Sequence, residues 1–399
     1  MDHPPLILKR NEERRLRAGH LWVFSNEVDT ARTPLDGFEP GELVRILAHN
    51  GKVLGVGYVN PRSLICARLL TRGESHDFDA GMLRRRIEQA LSLREVLFEE
   101  PFYRLIHGES DLLPGLVVDR YDGTLVVQLN TAGMDRMQQM VLDALEEVLL
   151  TRAILLRNDS PARELEGLDR HVVTAFGKVP ETVEVQEGGL RFLAPLASGQ
   201  KTGWFFDHRR NRTRLRDYAK ERRVLDLFSY LGGWGLQAAA GGAHQVQCVD
   251  SSQDALELLQ RNAALNGLES KVETLQGDAF DVLKELRAGG AKFDLVVLDP
   301  PAFIKRRKDY KSGLEAYRRL NQMALQVLED EGILVTASCS WHLQEKDLTD
   351  LLRRSALYLN RDLQLLEPGS QGPDHPVHPA IPETRYLKCW FCRSSMMPD

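Results

Sequence analysis

The chain has 399 residues, 43% of them hydrophobic and 27% charged, and carries a net charge of −5. One core rarely grows past about 250–300 residues, so two or three domains are expected in a globular protein. No stretch offers 18 uncharged apolar residues, which excludes a membrane-spanning helix, and the charge sum does not by itself announce a nucleic-acid binder.

The opening MDHPPLILKRNEERRLRAGH is charged throughout and lacks an apolar signal core, so a cytoplasmic location is expected. Residues 1–75 read as β-rich. GELVRILAHNGKVLGVGYVNPRSLICARLL alternates apolar and polar residues, with turn signals at His49-Asn50-Gly51 and Asn60-Pro61. This segment holds no convergent acid–base set, which suits binding better than chemistry. DFDAGMLRRRIEQALSLREVLF (77–98) has helical spacing and links modules. GLVVDRYDGTLVVQL reads as two strands joined at Tyr121-Asp122-Gly123. A helix near 134–150, the strand AILLRN, and strands in VVTAF and TVEVQEGGLRFLAPL complete a ββαββ block ending near 195.

From 196 onward, RVLDLF, QVQCVD, KVETLQGD, FDLVVLDPP and GILVTASC alternate with helical stretches. That is the pattern of a doubly wound α/β sheet. The expected domains are therefore 1–75, 76–195 and 196–399, with no internal repeat. Five cysteines, Cys66, Cys248, Cys339, Cys389 and Cys392, are too sparse for a disulfide framework. Cys389 and Cys392 form a CxxC without a second pair, and positions i and i+3 of a strand point to opposite faces, so no metal site is expected.

In a doubly wound sheet, ligands bind outside the carboxyl ends of the strands. The first α/β strand runs into a turn containing Gly232 and Gly233, where a ligand can approach the backbone; it is not GxGxxG. Asp250 ends the second strand, where a carboxylate can bond a ribose. Asp278 follows the third, where it can accept from an adenine amino group. Either acid alone reads as a helix N-cap. The fourth strand ends in Asp299-Pro300-Pro301-Ala302-Phe303, a rigid frame for gripping a planar base. The fifth ends in Ser338-Cys339-Ser340. A free cysteine there reads first as a small core residue, but the other four strand ends place this thiol in the same crevice.

VLDLFSY with Gly232-Gly233, Asp250, Asp278, Asp299-Pro300-Pro301 and Ser338-Cys339-Ser340 together resemble class I S-adenosylmethionine-dependent RNA methyltransferases, and most closely the ribosomal RNA large subunit methyltransferase I family. HLWVFSNEV with GELVRI is similar to that family's RNA-binding PUA domain. RLIHGESDLLPGLVVDRYDG and RELEGL are similar to its central domain, and GQKTGWFFDHRRNR to its lead-in to the methyltransferase core. Asp374-His375-Pro376-Val377 and Tyr386-Leu387-Lys388 are similar to its C-terminal signature.

The resemblance implies an N-terminal PUA domain, a central ββαββ domain and a Rossmann-like methyltransferase sheet. It implies S-adenosylmethionine held by Gln200, Lys201, Thr202, Asp226, Phe228, Gly232, Gly233, Asp250, Asp278 and Asp299. Large-subunit ribosomal RNA would meet Arg209, Arg210, Pro300, Pro301, Phe303, Lys305 and Arg306. No DNA, membrane or metal is implied, and the oligomeric state is left open, a homodimer included.

The implied reaction is methylation of cytosine C5. Cys339 would add to C6 as a thiolate and push electron density onto C5. Asp299, protonated or bridging the base edge, would relieve charge around N3, and Asp299 or His375 would take the C5 proton. Two substitutions depart from the family pattern, Ala302 for a lysine and Trp234 for a smaller aromatic; neither is expected to touch the reacting groups. Related cytosine-C5 enzymes carry a second cysteine in the fourth-strand motif, where Asp299-Pro300-Pro301 stands here, so product release has no assigned helper. The rival readings are a guanine or adenine nitrogen methyltransferase, which needs no thiol, an RNA-binding assembly factor without catalysis, and a nucleotide-dependent oxidoreductase.

Overall fold

Alternating apolar residues near the N-terminus form a five-stranded sheet in the computed structural model, which describes residues 3–74, 76–200 and 202–397. Strands β1 (Pro5–Ile7), β2 (Trp22–Val23), β3 (Glu42–Leu47), β4 (Val53–Val59) and β5 (Ala67–Leu69) take the order β1-β3-β4-β5-β2, with a short helix α1 (Arg14–Arg17) after β1. Leu6, Val23, Val44, Ile46, Val59 and Leu69 fill its core. Helix α2 (Ala80–Leu97) follows, capped by the Asp79 carboxylate accepting from Met82 N–H at 2.7 Å.

A second sheet comprises β6 (Phe102–His107), β7 (Leu116–Tyr121), β8 (Thr124–Leu129), β9 (Ala153–Asn158) and β10 (His171–Gly177), in the order β10-β9-β8-β7-β6. The β7–β8 hairpin turns at Asp122, whose φ of 55° is left-handed. β9 pairs parallel to β8. A parallel return needs a crossover, and α3 (Ala132–Arg136) and α4 (Gln138–Val148) provide it; α5 (Ala162–Leu165) precedes β10. These two sheets belong to one compact unit, Met1–Val183 with Pro195–Phe206 and Pro373–Thr384.

The second unit is Glu184–Ala194, Asp207–Gly372 and Arg385–Asp399. The hairpin β11 (Thr182–Glu187) and β12 (Leu190–Pro195) forms a sheet of its own. Sequence places the close of the central block at 195, whereas most of this hairpin packs in the second unit. There Asn262 accepts from Leu193 N–H at 2.7 Å and Asn266 accepts from Arg191 N–H at 2.9 Å. Alternation reveals strands but not their neighbours.

The elements that follow are α6 (Arg209–Ala219), β13 (Arg223–Leu227), α7 (Gly233–Ala240), β14 (Gln245–Asp250), α8 (Gln253–Leu265), β15 (Val272–Gln276), α9 (Ala279–Ala288), β16 (Phe293–Leu298), α10 (Tyr310–Val327), β17 (Leu328–Ser338), α11 (Glu345–Tyr358), β18 (Arg361–Gly369) and β19 (Lys388–Met396). The sheet order is β15-β14-β13-β16-β17-β19-β18. The five expected strands pair in parallel, and β19 and β18 extend the sheet antiparallel. Both faces of the parallel strands are covered, which is why they read as continuous apolar runs. Leu225, Leu227, Val296 and Leu298 enter one core, and Val224, Leu295, Val297 and Val335 the other. Among the described residues no helix is long and apolar enough to cross a membrane.

Candidate active site

β13 ends in a turn whose backbone enters the left-handed region at Phe228 (φ 64°), Tyr230 (48°) and Gly232 (85°). For Phe and Tyr this conformation is strained, and such strain concentrates at ligand sites. The turn is held by Ser229 N–H on the Val249 carbonyl (3.0 Å), Gly232 N–H on the Ser229 carbonyl (2.8 Å) and Tyr230 N–H on Asp250 Oδ2 (2.9 Å). Helix α7 starts directly afterwards. A Cβ at Gly235 would lie 2.4 Å from Cys248 Sγ, so only glycine lets α7 approach β14 this closely. Gly235 N–H donates to Asp226 Oδ2 at 2.9 Å.

This geometry gives Asp226 a part in holding the turn. The residue has no accessible surface; its Oδ2 anchors the turn through Gly235, and its buried Oδ1 has no hydrogen-bond partner among the described residues. Burial, reinforced by the neighbouring charges of Asp299 and Asp250, pushes its carboxyl well above the usual range.

Asp250 is half-buried and receives Tyr230 N–H on one oxygen and Ser252 N–H on the other, each at 2.9 Å. Its carboxylate is thereby aimed, with lone pairs left for a ribose. Asp278 is exposed, and its Oδ1 caps α9 on Phe280 N–H (2.9 Å) and Asp281 N–H (3.4 Å). Gly233 is backed by Arg212, whose Cδ would lie 3.0 Å from an added Cβ, and Arg212 is clamped to Glu187 at 2.6 and 2.7 Å. Phe228 is half-buried against the core. The buried Ser229 hydroxyl has no hydrogen-bond partner among the described residues. An orphaned hydroxyl in a strained turn at the sheet's carboxyl edge fits a polar ligand such as S-adenosylmethionine.

Two of the other expected cofactor contacts fall in the first unit. Gln200 is exposed. Thr202 is buried, with its hydroxyl on Asp119 and its carbonyl accepting from Tyr121 OH at 3.0 Å, so its side chain serves the fold and is closed to a ligand. Lys201 lies outside the described residues.

Beyond β16, Asp299 is half-buried between two partners. Trp234 Nε1 donates to Oδ2 at 2.9 Å, and His208 Nε2 lies 3.3 Å from Oδ1. Burial pushes this carboxyl up, but the electrostatic attraction and N–H of His208 together with the Trp234 N–H outweigh it, so Asp299 sits below the usual carboxylate range. Two expectations change. Asp299, held below the usual carboxylate range, is set to accept rather than donate at a base edge, and Trp234 touches Asp299, one of the groups expected to react. The His208 ring is itself oriented. The Asn211 amide is fixed by Ser370, taking its N–H and donating to its carbonyl, and presents its own N–H to His208 Nδ1 at 3.0 Å.

Cys339 follows β17 and is half-exposed, whereas the other four cysteines are buried. The flanking hydroxyls serve the loop rather than the thiol. Ser338 Oγ donates to Tyr317 OH at 2.9 Å, Ser340 Oγ lies 2.9 Å from the same phenol, and Ser340 Oγ accepts from Ile304 N–H at 3.1 Å. The last bond ties the Cys339 loop to the Asp299-Pro300-Pro301 loop. Pro300 is buried and Pro301 exposed, and the Phe303 ring packs 4.8 Å from Tyr317. Lys388, opposite Ser338 in the sheet, donates to the Ser340 carbonyl at 2.7 Å.

The basic clusters divide. Arg209 and Arg210 line an open groove of about 500 Å³ with Arg214 and Arg216. Arg214 pairs with Glu367 and Asp217 at 2.6 Å, and Arg216 donates to the Gly188 carbonyl, so part of that cluster braces the fold. Lys305 and Lys308 are exposed, while Arg306 pairs with Asp309 at 3.0 Å. His375 is 2% exposed in the first unit, bound to Asp374 at 3.1 Å and packed 4.9 Å from the His107 ring, which removes it as a base that substrate could reach.

Sequence reading missed His208, Asn211, Tyr317 and Lys388 as site residues. The signal for His208 and Asn211 lay within the GQKTGWFFDHRRNR lead-in and that for Lys388 within Tyr386-Leu387-Lys388; Tyr317 had none.

Comparison with known proteins matches a PUA-like domain over residues 6–72 and an S-adenosylmethionine-dependent methyltransferase over residues 104–373. The ribosomal RNA large subunit methyltransferase I of Klebsiella pneumoniae is 37% identical over 396 residues, covering 98% of both chains, and that of Salmonella arizonae is 36% identical over 398 residues at the same coverage. SMU.776, solved with SAH, shares the fold at a TM-score of 0.84 and 19% identity, over 98% of this chain and all of its own. A strained glycine turn, acids at successive strand ends and a PUA-like sheet are thus arranged in a chain that belongs to the ribosomal RNA large subunit methyltransferase I family of S-adenosylmethionine-dependent methyltransferases.

Proposed function

We propose that this protein methylates cytosine C5 in large-subunit ribosomal RNA through a covalent bond between Cys339 and cytosine C6. The observation that carries the reading is the placement of Cys339: the one half-exposed thiol among five cysteines, directly after β17, in a loop bonded to the loop that bears Asp299. A cysteine needed only for packing would be buried like the other four.

S-adenosylmethionine, held along the turn of Phe228, Ser229, Gly232 and Gly233 and by Asp250 and Asp278, supplies the methyl electrophile. The protein's own groups prepare the base. The Cys339 thiolate adds at C6, forming the S–C6 bond and moving the C5–C6 π electrons toward C5. Asp299, kept ionised by His208 and Trp234, accepts from the cytosine amino group and so orients the ring. Of the two candidate acceptors for the C5 proton, His375 is enclosed, which leaves the Asp299 carboxylate. Once that proton has left, the S–C6 electrons return to sulfur and the thiolate is restored.

RNA carrying 5-fluorocytosine at the target tests this directly. Fluorine does not leave as a proton does, so an enzyme–RNA adduct is expected to survive a denaturing gel with the parent and to be absent with Cys339→Ala. Cofactor binding by that variant should remain near parental, because its contacts lie on other strands. Full activity or a persistent adduct in Cys339→Ala would defeat the reading in favour of methylation at a guanine or adenine nitrogen.

A further inference from the structure

We infer that the ammonium group of Lys388 is the built-in counter-charge that keeps Cys339 in its thiolate form and fixes the loop that carries it. The inference rests on the reading of Cys339 as the nucleophile and supplies what that reading lacks, a reason for this thiol to ionise. A free thiol is mostly protonated at neutral pH, and reactive cysteines have a nearby cation, metal or helix N-terminus.

Three observations place Lys388 in this role. β19 runs antiparallel to β17 with Lys388 directly opposite Ser338, the residue before Cys339. Its Nζ donates to the carbonyl of Ser340, the residue after Cys339, at 2.7 Å, and to the Tyr386 carbonyl at the same distance. It is only 7% exposed and has no carboxylate within ion-pair distance among the described residues. Buried lysines are rare unless paired, and two neutral carbonyls use two of its three N–H donors without neutralising its charge.

Two other titratable groups near the loop, Tyr317 and Arg385, do not supply that charge. Tyr317 from α10 faces Cys339 as a neutral phenol, its ionisation opposed by burial and then by the thiolate's charge, with bonds to Ser338 and Ser340 only partly offsetting these. Arg385, just before β19, is paired with Glu345 at the start of α11 at 2.9 Å. Burial pulls the Lys388 amine down to about 8, against the attraction of Cys339. At neutral pH it is therefore still mostly a cation, while being close enough to that range to respond to the charge beside it. Ionisation of Cys339 releases its proton to solvent and leaves thiolate and ammonium side by side. When the S–C6 bond later breaks, the electron pair returns to a sulfur that is already stabilised.

Carboxamidomethylation of Cys339 by iodoacetamide, followed by peptide mass spectrometry from pH 5.5 to 9.5 on the full chain without RNA, tests this. Lys388→Gln keeps a donor for the Ser340 carbonyl and removes the charge; Lys388→Arg keeps the charge. The expected result is an alkylation midpoint raised by at least about one pH unit in the glutamine variant, a roughly tenfold slower reaction at neutral pH, and a midpoint near the parent in the arginine variant. An unmoved midpoint in Lys388→Gln overturns the inference. So does an arginine variant as slow as the glutamine one while S-adenosylmethionine affinity stays parental, since Lys388 would then be merely a loop brace. Either failure leaves the nucleophile reading standing, because that reading falls only with a Cys339→Ala variant that is active or still forms the adduct.

Discussion

His208 shows how a single residue outside the expected set controls one within it. Asp299 is a partly buried carboxylate, and burial alone would favour its neutral form. The contact with His208 Nε2 at 3.3 Å and the Trp234 N–H at 2.9 Å reverse that preference. On the proposed reading Asp299 serves the cytosine amino group and the C5 proton as a carboxylate, so its protonation should not limit the parent until pH falls toward the carboxylate range. In His208→Leu the attraction is gone and burial remains. The Asp299 carboxyl should then titrate above its ordinary value, and the acid limb of kcat/KM against pH should move upward by about one to three pH units, the scale of one lost close partner. An unchanged acid limb in a variant that still binds S-adenosylmethionine would remove His208 from this role. Legibility at this scale was uneven. Asp250, Asp299 and Cys339 could be read because each ends a recognisable strand, but the roles of Asn211 and Lys388, which lie in quoted motifs, could not, because their partners Ser370 and Ser340 are brought to them only by folding.

At the scale of the element, the turn after β13 carries both strain and an uncharged acid. Asp226 accepts from Gly235 N–H and has no exposure, and its carboxyl is held well above the usual range, chiefly by burial. The sign of its effect on stability follows. The folded carboxyl is neutral, while the unfolded one ionises near its ordinary value of about 3.9. Between those two points the unfolded chain binds fewer protons, so this residue's contribution to stability falls as pH rises. Asp226→Asn keeps an acceptor of the same shape and removes the titration. Relative to the parent, its melting temperature should therefore climb as pH rises above about 4 and level off once pH passes the raised value of the folded carboxyl. A constant difference across that range would show that Asp226 is ionised in the fold. The strands themselves were legible, since RVLDLF and FDLVVLDPP are largely apolar runs buried on both faces and QVQCVD alternates, whereas β18 and β19 do not announce their place in the sheet. β18 mixes polar and apolar residues at an edge, RDLQLLEPG, and its period does not say which strand it joins.

Across the whole molecule, an anionic chain must still hold a polyanion. With a net charge of −5, attraction to RNA has to be local, and the fold shows which cations are available for it. Arg212, Arg214 and Arg306 are paired with carboxylates, while Lys305 and Lys308 are exposed beside the loop that bears Asp299. If these two lysines contact phosphates, Lys305→Ala with Lys308→Ala should weaken RNA binding similarly across sequences and reduce the slope of log affinity against log salt by about 1.4. Equal slopes for parent and variant would place the RNA elsewhere. By itself the sequence determined the class of each segment, the β-rich start and the five parallel strands, because side-chain periodicity and turn chemistry are local and survive in one dimension. It also determined that acids and a thiol stand at strand ends. Only the tertiary structure decided that Asp226 is enclosed, that Asp299 is held below the usual carboxylate range, that Arg212, Arg214 and Arg216 of the arginine cluster brace the fold and that a buried lysine lies beside the cysteine loop. Burial and pairing set protonation state and availability, and both depend on residues that meet only when distant strands are laid side by side.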